Sequence, residues 1–187
     1  MIVKLIVSAV FGGLGGFAQN RLEGMYRRWQ LHRHLRMYVP GNQGNMVGAR
    51  VVNGYVLPLQ DCWAYITLGY DPANDILEPE GQNQAFIHLG NRRELKEDRL
   101  CWSRAGNPPN IEIYAEEHQA LDIVDIEPHG KWIGIPSEMG WEKYRVFLRA
   151  DRTYKGEIKI VSRDTKARKC AITIDPNCGE SPVKLIC

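Results

Sequence analysis

The sequence has no CxxC pair, no P-loop, no HExxH and no GxSxG. These absences remove the spacing signals for structural zinc, nucleotide phosphates, zinc peptidase and acyl-transfer chemistry. Cysteine is sparse and odd in number, with five in 187 residues. A secreted disulfide framework normally uses an even set, so the expectation is a reducing compartment, with Cys170 and Cys178 the pair that bridges a hairpin end if the compartment is oxidising. Acid is missing altogether between Gly24 and Gln60, while Arg27, Arg28, Arg33, Arg36 and Arg50 are present beside His32 and His34. That segment is a cationic block in a chain whose net charge is only +2, too small to suggest a nucleic-acid partner.

What is present reads as one folded domain with an appendage. An apolar fraction of 44% and a charged fraction of 25% are ordinary for a globular chain. The stretch "FGGLGGFAQNRL" after an apolar start admits three readings. As a dinucleotide fingerprint it offers Gly13-x-Gly15-x-x-Ala18, but no acidic residue follows at the distance needed to bind a ribose, and no strand-helix-strand repeat follows. As a signal peptide it has its charge after the apolar run and no persuasive cleavage site. A membrane helix fits better. Residues 2–18 are apolar apart from Lys4 and Ser8, and at about 1.5 Å per residue they cover roughly 25 Å, the short end of a bilayer span. Ser8, Gly12 and Gly16 recur every fourth residue and form a small-residue face suited to helix packing in lipid.

The following "NRLEGMYRRWQLHRHLRMYVP" keeps Leu22, Met25, Tyr26, Trp29 and Leu35 at approximate helical spacing, so the helix is expected to continue to Pro40. Arg21, Arg27, Arg28, Arg33 and Arg36 flank the span, which by the positive-inside rule puts the remainder of the chain in the cytoplasm. The expected organisation is therefore residues 1–39 as a membrane helix (about 2–18) running into a basic amphipathic helix, then residues 40–187 as a β domain. Expected partners are membrane lipid and either a second copy or another membrane protein docked on the N-terminal helix. Nucleic acid is not expected, nor is any cofactor.

Beyond residue 40 the hydrophobic period changes to two. In "RVVNGYVLPLQDCWAYITLGYD" a strand and an Asn53-Gly54 turn precede a second strand, with Cys62, Ala64, Ile66 and Leu68 on one face and Trp63, Tyr65 and Thr67 on the other. "YKGEIKIVS" and "RKCAITIDP" alternate likewise and make the clearest hairpin. Eight or nine short strands without a crossover helix indicate an antiparallel sandwich. Asp151 followed by Tyr154 ahead of an alternating strand resembles the tyrosine corner of immunoglobulin-type sandwiches. Gly156 stands where the antibody-type cysteine would be. The fold expected is thus mainly β, an antiparallel immunoglobulin-like β-sandwich preceded by one long N-terminal helix serving as membrane anchor.

The ordered runs "RVVNGYVLPLQDCWAYITL", "LCWS", "IEIYAEEHQALDIVDI", "IPSEMGW" and "YKGEIKIVS" resemble a loose group of uncharacterised prokaryotic proteins. Those proteins have an N-terminal membrane helix and a single immunoglobulin-like domain. The resemblance spans roughly residues 46–165 and implies a fold and a topology, with no catalytic residues to carry over.

Residues with chemical potential are few. His32-x-His34 reads as a solvated pair on a basic helix, and His118 beside Glu116 and Glu117 as a polar turn. Trp132 and Trp141 flank a Pro-Ser-Glu turn and offer ring surface for a sugar or peptide, or else plug the end of the sandwich. Trp63 and Trp102 read as core or sheet-face packing. The function expected is a membrane-anchored, non-enzymatic interaction or assembly module with its sandwich in the cytoplasm. The alternatives are an extracytoplasmic, membrane-anchored domain that binds a glycan or protein, and a soluble nucleotide binder using the glycine loop.

Overall fold

A computed structural model of the protein describes residues 21–26, 29, 34–40, 45–71, 73–77, 94–103, 110–127, 130–136, 144–163, 165, 167–178 and 181–187. The described chain is mainly β, with eleven strands in two antiparallel sheets that fit a sandwich. The strands are β1 (Leu35–Tyr38), β2 (Met46–Asn53), β3 (Leu59–Gly69), β4 (Glu94–Arg99), β5 (Asn110–Ile113), β6 (His118–Ile126), β7 (Trp132–Pro136), β8 (Tyr144–Arg149), β9 (Tyr154–Val161), β10 (Arg168–Ile174) and β11 (Val183–Ile186). The first sheet runs β1-β2-β6-β7-β8, and the second β11-β10-β9-β3-β4 with β5 also paired to β3.

Period-two alternation decides which face of each strand turns inward, and the buried residues of both sheets form one apolar core. On β3, Cys62, Ala64, Ile66 and Leu68 are fully buried while Trp63, Tyr65 and Thr67 are half-buried on the outer face. Leu59 is also buried, three residues before Cys62, which strict alternation forbids. A bulge resolves this: Leu59 and Cys62 pair with Ile113 and Ile111, and Asp61 takes a φ of 49° to absorb the extra residue.

The two sheets are stitched by a chain segment that changes sheet. The amide of Leu100 donates to the carbonyl of Ala64 on β3 at 2.9 Å, and that of Ser103 donates to Ala120 on β6 at 2.9 Å. Between them Trp102 is fully buried, and its indole N–H donates to the Cys62 carbonyl at 3.1 Å. Polar atoms in such a place stay only where they are hydrogen-bonded. Asn53 illustrates the same rule, since its buried amide donates to the carbonyls of Leu57, Ile113 and Tyr114 and accepts from the Tyr55 amide.

At the entry to β9 the Tyr154 hydroxyl donates to the Arg149 carbonyl at 2.9 Å, the geometry of a tyrosine corner. Asp75, nearly buried, binds Arg152 at 2.8 Å and accepts the Asp71 amide, clipping residues 71–77 onto this corner. The strand order departs from the immunoglobulin pattern, because the neighbour of β6 away from β2 is β7, which follows it in sequence. Gly156 admits no side chain: a Cβ there would lie 2.0 Å from the Thr67 carbonyl oxygen of β3.

The long N-terminal helix is overturned. Helix among the described residues is confined to residues 21–26, Trp29 and His34, and by Leu35 the chain is a strand. Leu35-Arg36-Met37-Tyr38 alternates buried and exposed and pairs with residues 50–53 of β2, so Leu35 and Met37 join the sandwich core. Four residues with two apolar positions fit either period, and the core recruits them as a strand. No helix among the described residues is long and apolar enough to cross a membrane. The span at 2–18, with Ser8, Gly12 and Gly16, lies outside the described residues. Single-pass anchoring is therefore not supported, and the cytoplasmic placement, which rested on that span, falls with it. The cysteine expectation is corrected as well: the disulfide joins Cys170 to Cys187 and does not include Cys178.

Two substitutions test this packing by urea unfolding. Tyr154→Phe removes one hydrogen bond and is expected to cost about 1 kcal/mol. Gly156→Ala is expected to cost about 3 kcal/mol or more, the upper end of overpacking penalties, because backbone rather than a flexible side chain must yield. A Gly156→Ala cost no larger than that of Tyr154→Phe would rule out the close approach of β3 and β9.

Candidate functional site

The outer face of the second sheet gathers cations and aromatic rings on adjacent strands. Register places Arg99 of β4 opposite Tyr65 of β3, Tyr65 opposite Lys159 of β9, and Lys159 opposite Lys169 of β10. Four strands at about 4.8 Å spacing make this row roughly 14 Å long. One step along β3, Trp63 stands opposite Val161 and Asn110. The Arg99 guanidinium lies over the Trp63 ring at 4.4 Å from its centroid, and the Lys159 ammonium is 6.0 Å from the centroid of Tyr65. Each such contact is worth about 0.5–1 kcal/mol at an exposed position.

The row carries an electrostatic cost. Like charges directly opposite on neighbouring strands destabilise a sheet, and Lys159 and Lys169 are such a pair. Glu157 offsets part of this through an exposed ion pair with Lys169 at 2.8 Å, a contact worth about 0–1 kcal/mol. Lys155, on the same face of β9, and Lys184, which follows it in register through Thr173, extend the positive surface. The acids nearest β5 are Glu112 and Asp61, and the Asp61 carboxylate is held by Asn110 at 3.3 Å and Arg163 at 3.9 Å.

A second cluster lies on the first sheet. The Ser103 hydroxyl donates to the Asp122 carboxylate, and burial, with a smaller push from Asp125, raises the Asp122 pKa against the lowering effect of that hydrogen bond. A hydroxyl on a carboxylate becomes a nucleophile-base pair when an imidazole relays the proton. His118 is four residues up the same strand, about 13 Å away at 3.3 Å per residue, too far for that role. Among the described residues no group of three or more His, Cys, Asp or Glu is placed to hold a metal.

The residues singled out from sequence are scattered. Arg21 is exposed on the short helix, beside an exposed Leu22, Met25, Tyr26 and Trp29. Arg36 is exposed on β1, a strand rather than the expected helix. Arg27, Arg28, Arg33 and Trp141 lie outside the described residues, as do Ser8, Gly12 and Gly16. Trp132 sits on β7, half-buried and edge-on to Phe147 at 4.9 Å, which is packing within the first sheet. His34 stacks on Tyr55 at 5.9 Å, and His118 is exposed at the start of β6. The cation-aromatic row was missed in sequence because its members come from four segments. The Trp63, Tyr65, Thr67 alternation was the one signal for it.

No protein-family model, curated protein or solved structure matches this chain. The site therefore rests on its own geometry.

Asp122 gives a pH test of the second cluster. Its raised pKa means that the native state holds the proton more tightly than the unfolded chain, so the ionised carboxylate costs stability as pH rises through the folded pKa. Asp122→Asn, which still accepts from Ser103, is expected to raise the urea midpoint near neutral pH. That gain should vanish below about pH 3.8, the ordinary pKa of the carboxyl. A gain that is the same in acid would refute desolvation as its cause.

Proposed function

We propose that the protein is a non-enzymatic binding module whose recognition surface is the outer face of the second sheet. The observation that carries this reading is the row Arg99, Tyr65, Lys159, Lys169, in which the sheet sets two lysines opposite each other at a cost to its own stability. A sheet selected for stability alone would alternate the signs of such a row. Half-buried rings on the central strand add contact area at small entropic cost, and the row is held by strand pairing, which keeps its geometry fixed before a ligand arrives. A panel of immobilised polymers (neutral glycan, acidic glycan, oligonucleotide and unfolded polypeptide) tests it. The wild type is expected to bind at least one, and Tyr65→Ala combined with Lys159→Glu to weaken that binding about tenfold at a temperature well below the variant's own unfolding midpoint. Binding that ignores both substitutions would overturn the assignment.

A second reading concerns location. The Cys170–Cys187 disulfide favours an oxidising, extracytoplasmic setting, since such bonds are rare where thiols are kept reduced. Alkylation of the denatured, unreduced protein is expected to modify Cys62, Cys101 and Cys178 and to spare the bonded pair. Modification of all five cysteines in protein isolated with its thiols trapped would rule this location out.

A further inference from the structure

We propose that the ligand of the second-sheet face is an acidic polysaccharide, a chain of sugar rings bearing carboxylate or sulfate groups. This inference rests on the preceding assignment of the face as the recognition surface and adds the chemistry of what it takes.

Three observations select this class. The outermost groups of the row are cations. Arg99 covers the Trp63 ring at 4.4 Å and Lys159 stands at 6.0 Å from the Tyr65 centroid, so an arriving ligand meets guanidinium and ammonium before it meets a ring. Base stacking on a single-stranded nucleic acid needs an open aromatic face, and at Trp63 that face is taken by Arg99. Carboxylates and sulfates instead use what is offered, because a guanidinium donates to their oxygens as a bidentate fork while it remains on its ring.

Spacing gives the second argument. Arg99 and Lys159 are two strand intervals apart, about 9.6 Å, and Lys169 is one interval further. A polyanionic chain lying across the strands meets Arg99, Lys159 and Lys169 in turn, on backbones that span roughly 14 Å. Placement agrees, since the Cys170–Cys187 bond favours the oxidising side of a membrane, where acidic glycans rather than nucleic acids are the abundant polyanions.

Isothermal titration of the full chain decides between the classes, with oligogalacturonate, neutral dextran and an oligothymidylate of matched charge as the probes. Expected is binding of oligogalacturonate, with an affinity that falls as salt rises and drops about tenfold in Lys159→Glu and again in Arg99→Ser. Lys131→Glu carries the same charge change on the turn before β7 and should stay within about twofold of the wild type. Tighter binding of oligothymidylate, or equal binding of dextran, with sensitivity to Lys159→Glu retained, overturns the acidic glycan but leaves the face as the binding surface. Equal losses in Lys131→Glu and Lys159→Glu, or no binding of any probe, overturn both. Unfolding midpoints for each variant accompany the titrations, and Arg99→Lys, which keeps charge but loses the fork, should recover only part of the Arg99→Ser loss.

Discussion

The hydrogen bond from the Trp102 indole to the Cys62 carbonyl is the contact on which the two sheets depend together. Packing alone holds most sandwiches, with inner faces meeting across roughly 10 Å and little to fix one sheet's position against the other. Here the segment carrying Trp102 pairs first with β3 and then with β6, so the largest fully buried side chain among the described residues sits where the chain itself crosses between layers. Its N–H needs a partner in that apolar place, and the bulge at Gln60 and Asp61 is what turns both Leu59 and Cys62 inward beneath it. One buried donor thereby ties the register of β3 to the position of the opposite sheet.

That constraint reaches the outer face of β3 as well. A strand with one face committed to the core by Cys62, Ala64, Ile66 and Leu68 must present Trp63, Tyr65 and Thr67 outward, since a slip of one residue would exchange the two sets. Gly156 fixes the other side, because only glycine tolerates β9 as close to Thr67 as it lies. With β3 and β9 locked, Lys159 must stand opposite Tyr65, and the β9-β10 hairpin then brings Lys169 opposite Lys159. The surface row is thus a consequence of core register. Its like-charge pair is a local conflict of the kind that foldable sequences keep mainly for function.

Legibility from sequence followed the range of the interaction. The faces of β3 and the β9-β10 hairpin could be read because alternation and a short charged turn are local features, and Tyr154 was marked by its spacing from Asp151. Strand partners far apart in sequence could not be read. Nothing near Arg99 says that it pairs with Tyr65, and nothing near Cys170 chooses Cys187 over Cys178. The segment Leu35–Tyr38 failed for a different reason: "LRMY" is too short to separate periods of 3.6 and 2, and the arginine-rich residues before it extended a helical pattern across a boundary. Burial of Leu35 and Met37 against β2, a tertiary effect, decided it. Trp132, read from sequence as either a recognition ring or a plug at the sandwich end, packs against Phe147, fifteen positions away in numbering.

The disulfide couples the sandwich core to the outer face. Among the described residues β11 is an edge strand of four residues paired to β10 alone, and short edge strands fray when nothing tethers them. Cys187, just past its end, is bonded to Cys170 on the inner face of β10 and lies 3.6 Å from the Met37 carbonyl of β1. The same residue therefore fastens the edge of the second sheet and touches the edge of the first. Closing a loop with a separation of 17 residues contributes about 3 kcal/mol in the chain-entropy picture, more than the ion pair of Lys169 and Glu157 supplies. Since Lys169 precedes Cys170 on the same strand and points to the opposite face, the bond that holds β10 from inside also holds the cationic row outside. A compartment that preserves the disulfide preserves the cationic row, so the setting of the protein and the proposed ligand chemistry are physically linked.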